Sequence, residues 1–133
     1  MKISTTLGLH LRCPGKEPFS VMESVKFLID AGFEVLDFSF SQVPLPDGTW
    51  RYTVSEAVDY AASRGVAFLY AHVPYNFPKE FTPENKKAFD ASLYRAVEAA
   101  AFAGIRYAVM HAYTNPVPVE EYNEETEQRV AIE

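Results

Sequence analysis

Two histidines stand at matching places in the chain. His72 closes the strand-like run Val66-Ala67-Phe68-Leu69-Tyr70-Ala71, and His111 closes Ile105-Arg106-Tyr107-Ala108-Val109-Met110. Each lies seven residues after a glycine, Gly65 or Gly104, that ends a helical pattern. The same count from Gly32 reaches Ser39. Side chains alternate along a strand, so Ser39, His72 and His111 share a face with Asp37, Tyr70 and Val109 in their respective strands. With neighbouring strands in register, the three residues would ring the mouth of one sheet. Imidazole is the commonest metal ligand and a neutral-pH acid and base. Two of them, with carboxylates from elsewhere, suit a divalent metal or a proton transfer. The plainer role for each is a bond to local backbone at a strand end, and the matched placement is what favours a shared site.

Other candidates lie close in sequence. Asp37 is a carboxylate in the last turn of the otherwise apolar strand Phe33-Glu34-Val35-Leu36-Asp37-Phe38. A buried acid needs a partner, and substrate, metal or a cap on the following loop are all open. Tyr75 and Asn76 follow His72 and Pro74 in a loop suited to covering a small polar ligand, or to ordinary packing of Pro74, Tyr75 and Phe77. His10 and Arg12, just past the first strand, can meet an anionic or hydroxylated ligand or simply face water. Trp50, the only tryptophan, follows the Pro- and Gly-containing stretch 43–49 and is expected to anchor that loop rather than form a wall for a sugar face. There is no G-x-G-x-x-G, no G-x-x-x-x-G-K-[ST], no C-x-x-C and no G-x-S-x-G, so the common phosphate cradles and the serine-nucleophile elbow are not encoded.

The elements that must position these residues repeat. Helices are expected from about Val21 to Ala31, from about Val54 to Arg64, and after Thr82-Pro83-Glu84. Ser20 with Glu23, and Thr53 with Glu56, have capping-box spacing. Gly32, Gly65 and Gly104 supply the left-handed residue that ends a helix. Strands are expected at Lys2–Leu7, Phe33–Phe38, Val66–Ala71 and Ile105–Met110, the last three largely apolar on both faces, as in a buried parallel sheet. The order is β-α-β-α-β-α-β, with a fourth helix starting near Asn123. Links from helix to strand are little more than a glycine, whereas links from strand to helix are long. In a parallel α/β sheet the long side is the carboxyl end of the strands, where sites lie. His10, His72 and His111 all fall there.

A chain of 133 residues is one ordinary domain. Its formal net charge of −6 argues against nucleic acid as a partner. No apolar run approaches a membrane span, and the N-terminus lacks the apolar region of a secretory signal. Cys13 is the only cysteine, which suits a reducing cytoplasm. The helical pattern 123–133 stops after about two turns, so the chain is expected to be the N-terminal half of a longer protein. The alternative is a small doubly wound domain.

Ala71-His72-Val73-Pro74-Tyr75-Asn76 after the third strand, and Val109-Met110-His111 after the fourth, resemble the xylose isomerase-like TIM-barrel superfamily. That group contains sugar phosphate isomerases and epimerases and the endonuclease IV-type phosphodiesterases. The resemblance implies an α/β fold, a (β/α)8 barrel of which residues 1–133 form about four βα units. It implies a sugar or sugar-phosphate isomerase or epimerase, with metal-assisted proton transfer beside a carbonyl and the catalytic carboxylates beyond residue 133. A divalent ion (Mn, Mg, Co or Zn) would belong to the full-length parent. His72, His111, Asp37, Tyr75, Asn76 and His10 would contact substrate. His72 and His111 match zinc ligands of the endonuclease-type members, but there the strand-4 histidine is followed by Pro-Gly, where this chain has Ala112-Tyr113-Thr114, so metal ligation ranks behind substrate contact. An endonuclease IV-like zinc phosphodiesterase and a non-catalytic small-molecule-binding half barrel are the alternatives. Open sheet edges would favour homo-oligomers.

Overall fold

The structure, a computed structural model, describes residues 3–8, 17–43, 45–46, 48–75, 78 and 82–111. His10, Arg12, Cys13, Asn76, Phe77 and the helix expected from Asn123 lie outside the described residues.

Helix α1 (Val21–Asp30) begins with the expected capping box. The Ser20 backbone N–H donates to Glu23 Oε2 at 2.8 Å, and the Glu23 N–H donates to Ser20 Oγ at 3.2 Å. Two of the helix's unsatisfied donors are thereby paired. Its Val21, Val25 and Leu28 are buried. Helix α3 (Pro83–Phe102) starts with a proline in its first turn and with the Thr82 Oγ1 accepting from the Asn85 N–H at 3.2 Å.

Helix α2 (Trp50–Ser63) corrects two expectations. It begins one turn early, so Trp50 is its first residue and not part of the preceding loop. The Thr53–Glu56 box therefore does not form, and Thr49 at the N-cap makes no side-chain cap bond. Tertiary packing explains the extension, since burial of an apolar face stabilises a helix more than local propensity does. The Trp50 ring is 3% exposed and meets Phe102 of α3 edge-on at 5.6 Å. Arg51 lies over the indole at 4.4 Å and pairs with Glu98 of α3. Trp50 thus tethers α2 to α3 and is not available as a wall for a sugar face.

All three helices end in the same way. Gly65, at φ +72°, takes the left-handed conformation that side-chain-bearing residues avoid. Its N–H donates to Ala62 O at 3.0 Å, and the Val66 N–H donates to Ala61 O at 2.9 Å. This is the Schellman pattern, and the pairs Gly32–Phe33 and Gly104–Ile105 repeat it. The residue after each glycine spends its N–H on the helix, so it cannot open a strand ladder. That is why the strands start later than their apolar runs: β2 at Val35, β3 at Ala67 and β4 at Tyr107.

The four strands, β1 (Ser4–Thr6), β2 (Val35–Ser39), β3 (Ala67–His72) and β4 (Tyr107–Val109), form one parallel sheet in the order β1-β2-β3-β4. Helix α1 packs on α2, and α2 packs on α3 and β3. The helices therefore make one layer on one face of the sheet. A doubly wound fold requires the strand order to reverse. Among the described strands it does not, so the architecture is α/β with a singly wound parallel sheet. Between the layers lie Leu36, Phe38, Phe40, Phe68 and Ala71 against Val25, Leu28, Val54, Ala57, Ala96 and Ala99. Phe38 is fully buried, with ring centroids 4.8 Å from Phe40 and 4.9 Å from Phe68. Among the described residues no helix is long and apolar enough to cross a membrane.

Candidate functional site

Register decides which side chains meet at the carboxyl ends of the strands. β2 and β3 begin with Val35 opposite Ala67 and Leu36 opposite Phe68, but the next pair is Asp37 opposite Tyr70. Leu69 is an extra residue on β3, a bulge that shifts the pairing by one. Beyond it Ser39 lies opposite His72, as the count from the glycines predicts. Between β3 and β4 the partner of His72 is Val109. His111 thus falls two residues past the level of His72. A shift of two preserves the face of a strand, so His111 still stands on the histidine side but farther out.

Asp37 is 7% exposed, and its Oδ2 lies 2.7 Å from Nδ1 of His72. The distance is that of a charge-assisted hydrogen bond, yet the ring N–H is not aimed squarely at the oxygen. Nδ1 and the second carboxylate oxygen, Oδ1, are both buried without a well-formed hydrogen bond. The pair is a close carboxylate–imidazole contact that a small rotation of the ring would align. The His72 ring stands 6.4 Å from that of His111, tilted by 32°. His111 in turn lies 5.3 Å from the Tyr75 ring. Asp37, His72, His111 and Tyr75 form one continuous row. Beneath it on the same face, Tyr70 and Tyr107 pair at 6.1 Å.

Of the residues singled out in the sequence, Asp37, His72, His111 and Tyr75 are thus brought together, whereas His10 and Asn76 lie outside the described residues. Ser39 is buried and its hydroxyl is engaged with that of Ser41 at 2.9 Å, which leaves it a structural role. A cavity of about 360 Å3 opens between residues 40–45 and α3, lined in part by Ser41, Gln42, Ser92 and Arg95. It includes Pro74 but none of the four row residues. Arg95, which the sequence did not mark, donates to Leu45 O at 3.0 Å and so holds that link against α3.

The row carries a carboxylate, two imidazoles and a phenol. Such a set offers acceptors, switchable donors and aromatic faces, which suits a hydroxylated molecule. Metal binding fits less well. Among the described residues no group of three or more His, Cys, Asp or Glu is placed to hold an ion. Asp37 occupies Nδ1 of His72, so the row supplies two imidazole nitrogens where a closed or catalytic site needs at least three protein ligands.

No protein-family profile matches the chain, no curated protein matches its sequence, and no solved structure matches its fold.

Proposed function

We propose that the chain supplies part of a (β/α)8 barrel that isomerises or epimerises a sugar or sugar phosphate. The observation that carries this reading is the row Asp37–His72–His111–Tyr75, set at the carboxyl ends of successive parallel strands. A singly wound sheet with helices on one face is the arrangement from which such barrels are built, and their sites lie at the end where the row lies. In this reading the remaining strands come from outside the 133 residues, together with the carboxylates that move the proton. Any divalent ion would be held there too, where it would polarise the carbonyl. The row's own work is to bind and orient the hydroxyl and carbonyl groups. The single cysteine suits a cytoplasmic setting.

The test is a ring-proton NMR titration with a panel of aldoses, ketoses and their phosphates. Resonances of His72 and His111 are expected to shift together with at least one member, and a panel that moves neither would sink the reading. Deuterium incorporation from heavy water, beside the carbonyl of the bound sugar, is expected with the complete barrel. Binding without incorporation would instead establish a non-catalytic binding module. A net charge of −6 leaves nuclease action the weaker alternative.

A further inference from the structure

We infer that Asp37 is a positioning residue, which holds the proton of His72 on Nδ1 and so presents Nε2 as the proton-accepting atom of the row. The inference deepens the reading above by assigning the group that meets a ligand hydroxyl, but its geometry stands without any ligand.

Three observations support it. First, the Asp37 carboxylate is buried at a cost that, among the described residues, only the His72 contact offsets. Its side chain is 10% exposed, its one close partner is His72, and Oδ1 has no hydrogen bond. A purely structural position on this face would favour an apolar residue, as at the buried Val35 two residues earlier on the same face. Secondly, a carboxylate beside one imidazole nitrogen decides the tautomer. An acceptor at Nδ1 favours the proton there and leaves the Nε2 lone pair free. Thirdly, the ring is buried at Nδ1, while the His72 side chain as a whole is 32% exposed. The accessible edge is the one away from Asp37, which carries Nε2, on the side of the sheet shared with His111 and Tyr75. The imperfect alignment of the pair is no obstacle, because a small rotation of the ring aims its N–H at an oxygen already 2.7 Å away.

The assignment can be read from long-range 1H–15N correlations of the histidine rings in the full chain, without ligand, at mildly alkaline pH where free imidazole is neutral. His72 is expected to show a protonated Nδ1 and an unprotonated Nε2. Asp37→Ala should move it towards the Nε2-protonated form, and Asp37→Glu should restore the wild-type pattern. His111 serves as the control that does not change. The second readout is reaction with diethyl pyrocarbonate, which requires a free, accessible lone pair. His72 should react at Nε2, and Asp37→Asn should slow it several-fold while the far-UV dichroism stays constant. A wild-type His72 protonated on Nε2, or one unreactive in the folded chain, would overturn the inference. The wild-type tautomer decides even where a variant fails to fold. Loss of sugar binding alone would overturn only the proposed function.

Discussion

Replacing His72 by alanine should destabilise the fold, and removing the negative charge of Asp37 as well should restore part of the loss. Among the described residues, the imidazole is the one close partner of a carboxylate whose side chain is 10% exposed. Breaking a fully buried ion pair costs about 3–5 kcal/mol, which sets the ceiling. A hydrogen bond to a charged group contributes about 1.5–3 kcal/mol. His72 is 32% exposed and the contact is poorly aligned, so the lower part of that range applies. Water entering the space left by the ring offsets some of the remainder. We expect a loss of about 2 kcal/mol for His72→Ala, of which Asp37→Asn in the same chain returns about 1 kcal/mol, because a neutral amide is cheaper to bury unpaired than a carboxylate. Urea unfolding, followed by the fluorescence of the single buried tryptophan, Trp50, gives both values. With a slope of about 1–2 kcal/mol per molar urea, the midpoint should fall by about 1–2 M and then partly recover. Additive losses in the double variant would refute the coupling. A stabilised His72→Ala would mean that the contact is strained rather than favourable.

Two further outcomes test the frame around the site. Phe38→Ala removes a fully buried ring that touches two others, so a loss of about 4 kcal/mol is expected; thermal dichroism should show most of the cooperative transition gone, and an unchanged midpoint would contradict the placement of Phe38. At the start of α1, hydrogen bonds from the Ser20 backbone and then its side chain hold the Glu23 carboxyl below the ordinary glutamate value. A lowered folded-state pKa adds stability that is complete above the ordinary value and is lost as pH falls through the folded one. Stability against acid should therefore decline below about pH 4, and Glu23→Gln should flatten that limb of the profile.

The helix ends were legible because they are local. Gly32, Gly65 and Gly104, each followed by an apolar residue, specify a motif closed within six residues, and each occurs where the pattern places it. The Ser20–Glu23 box was legible for the same reason. The start of α2 was not. Thr53 and Glu56 have the right spacing, but the indole of Trp50 finds Phe102, a residue far along the chain, and that long-range burial overrides the local cap. The sheet order was legible only as far as alternation of strands and helices implies a parallel arrangement. The single helix layer emerges from which helices touch, which no local pattern states.

Register separates what the sequence reveals about the site from what it conceals. Counting from the glycines puts Ser39, His72 and His111 at one level. The structure agrees for the first two only because Leu69 is an extra residue in β3. β2 starts three residues after its glycine and β3 only two, so without the bulge every side chain of β3 beyond Phe68 would point to the opposite face relative to β2. Asp37 would then lie opposite Leu69, and His72 would turn towards the helices. The bulge therefore creates the Asp37–His72 contact, and Phe68 and Ala71, both buried on the helix side three residues apart, are its trace in the burial pattern. No residue type announces it, since Leu69 is an ordinary strand residue. For β4 the offset is two residues, which costs level but not face. His111 consequently stands farther out than His72, against Tyr75 rather than against a carboxylate. The two histidines that look equivalent in sequence are thus unequal in chemistry: His72 is oriented by an acid from below, while among the described residues His111 meets the rings of His72 and Tyr75. A ligand seated on the row would meet a fixed acceptor at one histidine and an adaptable donor or acceptor at the other, an asymmetry suited to a molecule whose neighbouring oxygens differ.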